Sequence, residues 1–130
     1  MATTSMQYSH PVYIVPVIYS GSSAAGANGV TTKWAAYTAQ KIMSVSYAAN
    51  IASTSSTTPL LYKKSGTTTS TTTMTAVASA ATAAVNYAPA TPVSLAQGDQ
   101  FWVAHGTDGT VALSIAVETL VVPGSTVTSV

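Results

Sequence analysis

The sequence predicts an all-β fold, an antiparallel, jelly-roll-like β-sandwich of about eight strands. Three observations lead there. Short runs rich in Val, Ile, Tyr and Thr recur along the chain, each bounded by Gly, Pro, Ser or Asn. That spacing favours a sandwich or barrel over alternating helices and strands. Some runs alternate apolar with small residues at the period of two that a half-buried strand requires. The Ala-rich stretches show no clear apolar stripe at the 3.6-residue period of a helix.

Residues 1–10, small and polar up to His10-Pro11, read as a flexible arm, residues 11–123 as the sandwich domain and residues 124–130 as a tail. Val12 to Tyr19 is strand-like, and Pro16, which cannot donate to a ladder, puts it at an edge or a bulge. Ser20 to Gly29 is a loop. Its Asn28-Gly29 pair tolerates positive φ and favours pairing of the strands on either side. Trp34 to Thr38 and Ile42 to Ala49 are the next strands; in the second, Met43, Val45 and Tyr47 share the face expected to be the inner one.

A polar connector, Ser53 to Thr58, leads to the short strand Leu60-Leu61-Tyr62-Lys63 and a turn at Lys64-Ser65-Gly66. The Thr-rich stretch Thr67 to Thr75 reads as a strand with a polar outer face, because Thr is β-branched and favours extended structure. For Ala78 to Val85 a short helix is the competing reading. Pro89 and Pro92 then bracket a loop, Val93-Ser94-Leu95 is extended, and Ala96-Gln97-Gly98-Asp99 is a turn feeding Gln100 to His105. Asp108-Gly109 reverses the chain into Thr110 to Leu120, where Val111, Leu113, Ile115 and Val117 alternate with Ala112, Ser114, Ala116 and Glu118. This is the strongest hairpin signal in the chain.

Composition excludes several functions. Only 5% of the 130 residues are charged, whereas 22 are Thr and 17 are Ser. A surface of hydroxyls and amides carries little repulsion to keep copies apart and no extended acidic or basic field. With no Arg, and only Lys33, Lys41, Lys63 and Lys64 as side-chain cations, the phosphate-contact array of a nucleic-acid binder is missing. There is no Cys for disulfides or thiolate metal sites. No segment approaches the 18 apolar residues of a membrane span, and the first residues lack the form of a signal peptide.

Catalytic and metal sites fare no better. His10, His105, Asp99, Asp108 and Glu118 are the few groups available, and a triad of His105, Asp108 and a serine lacks any Gly-x-Ser-x-Gly elbow. Asp99 and Asp108 flank one strand, too far apart for a paired-carboxylate mechanism. His105-x-x-Asp108 supplies at most two metal ligands, enough only for an ion shared on a symmetry axis. We expect no enzyme, no cofactor, no catalytic residue and no metal site. The aromatics are different. If Phe101 is in the core, Trp102 points away from it, and an outward Trp on a weakly charged strand is a natural contact anchor.

Two segments, Pro92-Val93-Ser94-Leu95-Ala96-Gln97-Gly98-Asp99-Gln100-Phe101-Trp102-Val103-Ala104 with its following Val111 to Val117, and Thr32-Lys33-Trp34-Ala35-Ala36-Tyr37-Thr38-Ala39-Gln40-Lys41-Ile42, carry a resemblance. Over residues 30–120 the chain resembles small β-sandwich virion proteins of tailed bacteriophages, especially head decoration or cement proteins. The resemblance implies a structural role on the outer surface of a capsid, with the major capsid protein as partner and a homotrimer as the assembly. Met6, Tyr8, Tyr62 and Trp102 are the candidate interface residues, Met6 and Tyr8 as arm residues that dock on a neighbour. The alternative is a tail or fibre receptor-binding module, with Trp102 or Tyr62 stacking on a glycan.

Overall fold

β-Branched and aromatic residues hold the chain extended, and the result is eleven strands with no helix among the described residues. The computed structural model describes residues 4–8, 16–24, 29–50, 55–79, 82–105, 112–122 and 125–129. In chain order the strands are β1 (Thr4–Tyr8), β2 (Pro16–Ser22), β3 (Trp34–Ala35), β4 (Gln40–Ala49), β5 (Leu60–Ser65), β6 (Thr68–Thr73), β7 (Val85–Tyr87), β8 (Val93–Leu95), β9 (Gln100–Ala104), β10 (Leu113–Val121) and β11 (Ser125–Ser129). One antiparallel sheet runs β2-β10-β4-β7, with β8 also on β4, and a second runs β3-β9-β5-β6. β1 and β11, from the segments read as arm and tail, pair with each other as a two-stranded ladder.

The pairs are nested. Thr4 is matched with Ser129, Ser22 with Ser114, Trp34 with Phe101, Val45 with Tyr87 and Leu60 with Thr73. Each step inward from one terminus is therefore answered by a step inward from the other, as in one long hairpin. Its bend lies between Ser65 and Thr68, where Gly66 has φ 59°, a value in the left-handed region that glycine adopts without a Cβ penalty. Successive pairs go to alternate sheets: β2 with β10 and β4 with β7 in one, β3 with β9 and β5 with β6 in the other.

One apolar core joins the sheets. Ile42, Val45 and Tyr47 on β4 and Leu113, Ile115 and Val117 on β10 belong to the same buried cluster as Leu61, Phe101 and Val103 of the other sheet. Each such side chain contributes about 1.5–3 kcal/mol when taken out of water. Tyr19 of β2 meets Phe101 of β9 edge to face, 4.9 Å between centroids, and Trp34 packs on the same ring at 5.5 Å. Gly21 lies beside the Trp34 ring: a Cβ there would stand 3.4 Å from it, in van der Waals contact.

Several expectations hold. β2, which contains Pro16, is an edge strand, the Thr-rich stretch is a strand, Ala96 to Asp99 turns into β9, and β10 buries alternate residues from Leu113. Others are corrected. Met43 does not join Val45 and Tyr47 on the inner face. Glu118 pairs with Ser44 and Thr119 with Ile42, so Met43 is the extra residue of a β-bulge, and Ile42 takes the buried position instead. A single inserted residue exchanges the two faces of everything beyond it.

The hairpin expectations are overturned too. The Asp108-Gly109 turn lies outside the described residues, but the strands it joins do not pair: β9 lies between β3 and β5, and β10 between β2 and β4, in different sheets. β2 and β3, on either side of Asn28-Gly29, likewise lie in different sheets. Turn chemistry reverses the chain without choosing the sheet that receives it. Among the described residues of Ala78 to Val85 no helix forms, and β7 begins at Val85. The count of about eight strands becomes eleven, because β1, β7 and β11 are added: β1 and β11 pair with each other, and β7 lies beside β8 on one side of β4, across its bulge.

Candidate functional site

The outer face of the β3-β9-β5-β6 sheet brings two of the four interface candidates together. Tyr62 on β5 and Trp102 on β9 are register partners, and their rings stack 2° from parallel with centroids 5.3 Å apart. Neighbouring strands are about 4.8 Å apart, so the two rings stand side by side on adjacent strands. On the other side Lys33, just before β3, sets its Nζ 4.5 Å from the centre of the Trp102 ring. Thr71 of β6 is paired with Tyr62, which completes a row of Lys33, Trp102, Tyr62 and Thr71 running from the start of β3 across β9, β5 and β6.

Trp102 points away from the core, as its position next to buried Phe101 requires, yet it is only 8% exposed. Tyr62 covers one face of the indole and Lys33 the other. The strand is central, not an edge, and the ring offers no open face for a sugar to stack on. Stacking and the cation over the ring are together worth about 1–2 kcal/mol. Met6 and Tyr8 are on another ladder: among the described residues β1 pairs with β11, where Met6 is opposite Val127 and Tyr8 opposite Ser125. The structure does not bring them to the Tyr62–Trp102 row.

Sequence reasoning missed a second cluster. Ser23 Oγ is hydrogen-bonded to His105 Nε2 across 82 positions of chain, and the same Oγ accepts from Leu113 N at 2.9 Å. Thr57 Oγ1 donates to the His105 carbonyl at 2.8 Å, and His105 N donates to the Gly29 carbonyl at 2.9 Å. These bonds tie the end of β2, the end of β9, the start of β10 and the β4–β5 connection into one knot. A serine beside a histidine is the start of a nucleophilic site. Here Ser23 is 3% exposed, His105 is fully buried, and the serine oxygen is already engaged by the backbone of Leu113. The geometry is that of a structural tie. Asp108 and His10 lie outside the described residues.

A third cluster surrounds Asp99 at the turn before β9. Its carboxylate accepts from Ser65 Oγ at 2.7 Å and from Ala96 N at 2.9 Å, and Lys63 Nζ stands 3.6 Å away. Lys63 also donates to the Ser94 carbonyl at 2.6 Å, joining β5 to β8 of the other sheet. Burial pushes the Asp99 pKa up, but the Ala96 amide, the Ser65 hydroxyl and the Lys63 ammonium outweigh it and hold the carboxyl below its usual value. Gly98 makes the turn at φ 87°. Neighbouring Lys64, Gly66, Gly98 and Gln100 line a polar cleft of about 200 Å³.

The β2-β10-β4-β7 sheet is different on its outside. A shallow depression of about 420 Å³ there is lined by small residues such as Ser20, Ser22, Ser46, Ala48, Ser114 and Ala116. Glu118, exposed on the same strand face as Ser114 and Ala116, is a solvated carboxylate. Among the described residues, no three His, Cys, Asp or Glu gather as metal ligands, and no helix is long and apolar enough to cross a membrane. In sequence, the chain matches no protein-family model and no curated protein.

Proposed function

We propose that the protein is a non-enzymatic decoration or cement protein of a tailed-bacteriophage head, a jelly-roll subunit that binds the outside of the assembled capsid. The observation that carries this reading is the strand order. Setting aside the terminal ladder and β8, eight strands remain in two groups of four, β2-β10-β4-β7 and β3-β9-β5-β6. Nested pairs shared alternately between two sheets are what results when one long hairpin is wrapped on itself. That supports the jelly roll, an architecture used by viral capsid proteins.

The surface supports the same reading. With 5% charged residues the protein can pack against a lattice, or against two further copies as a homotrimer, at little electrostatic cost. A ligand that binds only assembled capsomers stabilises the assembly by mass action. The β1–β11 ladder, with Met6 and Tyr8 on β1, is the proposed place of attachment to the major capsid protein.

Cryo-electron microscopy of the native virion tests the proposal. Density for this chain on the head surface, with heads lacking it breaking at lower temperature than heads reloaded with it, is the expected result. Density confined to the tail would overturn it in favour of the fibre or receptor-binding alternative.

A further inference from the structure

We infer that the cleft between the β5–β6 turn and the β8–β9 turn is a carboxylate-binding site, in which the Lys64 ammonium and the Gln100 carboxamide hold the two oxygens of one carboxylate. The inference does not depend on the capsid reading.

Position along the strands builds the site. Side chains alternate across a sheet, so Lys63 and buried Asp99 meet each other at 3.6 Å while their neighbours Lys64 and Gln100 stand on the outer face. Lys64 and Gln100 are register partners, and facing Cβ atoms on adjacent strands are about 4.5–5.5 Å apart. Two residues further along, the positions that would present the next side chains of that face are Gly66 and Gly98, and nothing lies within 4 Å of the place a Cβ would take at either. Their φ values, 59° and 87°, suit glycine and strain any other residue. The row beside Lys64 and Gln100 is therefore bare, and these four residues line the polar cleft of about 200 Å³.

Asp99 fixes the width of the cleft. Its carboxylate takes the hydroxyl of Ser65, next to Gly66, at 2.7 Å and the amide of Ala96, the first residue of the other turn, at 2.9 Å. The two turns are clamped together before any ligand arrives, which lowers the cost of ordering the site on binding.

The donors select the ligand. Lys64 is half-buried, and among the described residues no group engages its ammonium or the Gln100 carboxamide. The row continues on either side to Ala35 and Thr69, neither of them charged. Lys63 is committed to Asp99 and Lys33 to the Trp102 ring, so the cleft carries one free positive charge. An ammonium and an amide N–H side by side match the two oxygens and single charge of a carboxylate. A sulfate or phosphate dianion brings a second charge that no cation here meets. The carboxylate belongs either to a free small acid or to an Asp or Glu side chain of a neighbouring protein, and the test separates the two.

The experiment is a nuclear magnetic resonance titration of isotope-labelled protein, at constant ionic strength, with the blocked peptide acetyl-Gly-Glu-Gly-amide, its Gln counterpart, acetate and sulfate. The expected result is saturable shifts of the Gly66 and Gly98 amides and the Gln100 carboxamide with the carboxylates, at millimolar affinity. Lys64→Gln should weaken binding by at least about tenfold, and so should Gln100→Glu, which sets a carboxylate of the chain's own beside Lys64. Spectra that match wild type away from the cleft establish that each variant is folded, and either variant alone suffices. Binding of the Glu peptide assigns the ligand to a protein side chain; acetate binding without it assigns a free acid, and both support the site. No saturable shift with either carboxylate, equal affinity for the Gln peptide or for sulfate, or affinity unchanged by the substitutions would overturn the inference.

Discussion

Tyr62 and Trp102 face each other as register partners with rings 2° from parallel, while Lys33 closes the far side of the indole at 4.5 Å. An aromatic pair on the outside of a sheet would ordinarily be open to a partner. This one is largely satisfied by its own chain, so its contribution is to hold β3, β9 and β5 in register from the outer side while Phe101 holds β9 from the inner side.

That arrangement predicts separable losses. In a Trp34→Phe background, where Trp102 is the sole indole, Lys33→Ala should shift tryptophan emission to the red and cost about 0.5–1 kcal/mol. Tyr62→Ala should shift it further and cost more, because area burial is lost along with a stacking term of about 0.5–1.5 kcal/mol. Urea unfolding followed by fluorescence reads both. Emission unchanged in both variants would show the indole to be covered by other groups.

The Ser23–His105 tie is expected to stabilise the fold rather than catalyse. Ser23→Ala leaves Leu113 N and His105 Nε2 without their shared partner in a buried position, which costs about 1–3 kcal/mol. Exposed Ser56→Ala should cost almost nothing. Thermal melts of the two variants make the comparison, and equal melting temperatures would refute the structural role.

Asp99 makes the fold sensitive to acid. Its folded pKa lies below the unfolded value of about 3.9, so the folded state binds that proton less well. The stabilisation is fully present above the unfolded pKa and disappears as pH falls through the lowered folded value. Asp99→Asn should be less stable than wild type at neutral pH and should lose less stability between pH 5 and about pH 2. Parallel acid limbs in urea titrations of the two proteins would contradict this.

Tyr47 does the reverse at the alkaline end. Burial pushes its pKa up to about 12, against a side-chain hydrogen bond with Thr75 that lowers it and a smaller contribution from Tyr87 that raises it. Since the unfolded value is about 10, the stabilisation is complete below pH 10 and is lost as pH rises toward 12. Tyr47→Phe should flatten that limb, measured as melting temperature against pH, at the cost of the hydrogen bond to Thr75. An unaltered alkaline limb would show that Tyr47 does not set it.

Local signals in the sequence were enough for fold class and for many inward and outward assignments. Leu113, Ile115 and Val117 alternate with small or charged residues and are buried, Phe101 is in the core with Trp102 on the other side, and Pro16 marks an edge. Each of these is a nearest-neighbour property: successive side chains on a strand point to opposite faces, and proline lacks a donor wherever it sits. The same locality explains why Ala96 to Asp99 was legible as a turn.

Only the tertiary structure decided which strands meet. Asp108-Gly109 reads as a hairpin, but β9 and β10 enter different sheets because burying Phe101 and Val103 against Leu113, Ile115 and Val117 requires them to face one another across the core, not lie side by side. The bulge that displaced Met43 leaves no mark in the alternation around it, and the partner of His105 was one serine among 17, 82 positions away. The period of two assigns faces and turn residues assign reversals. The choice of partner is made by the whole chain at once, since each sheet hides its apolar face only when the other is in place.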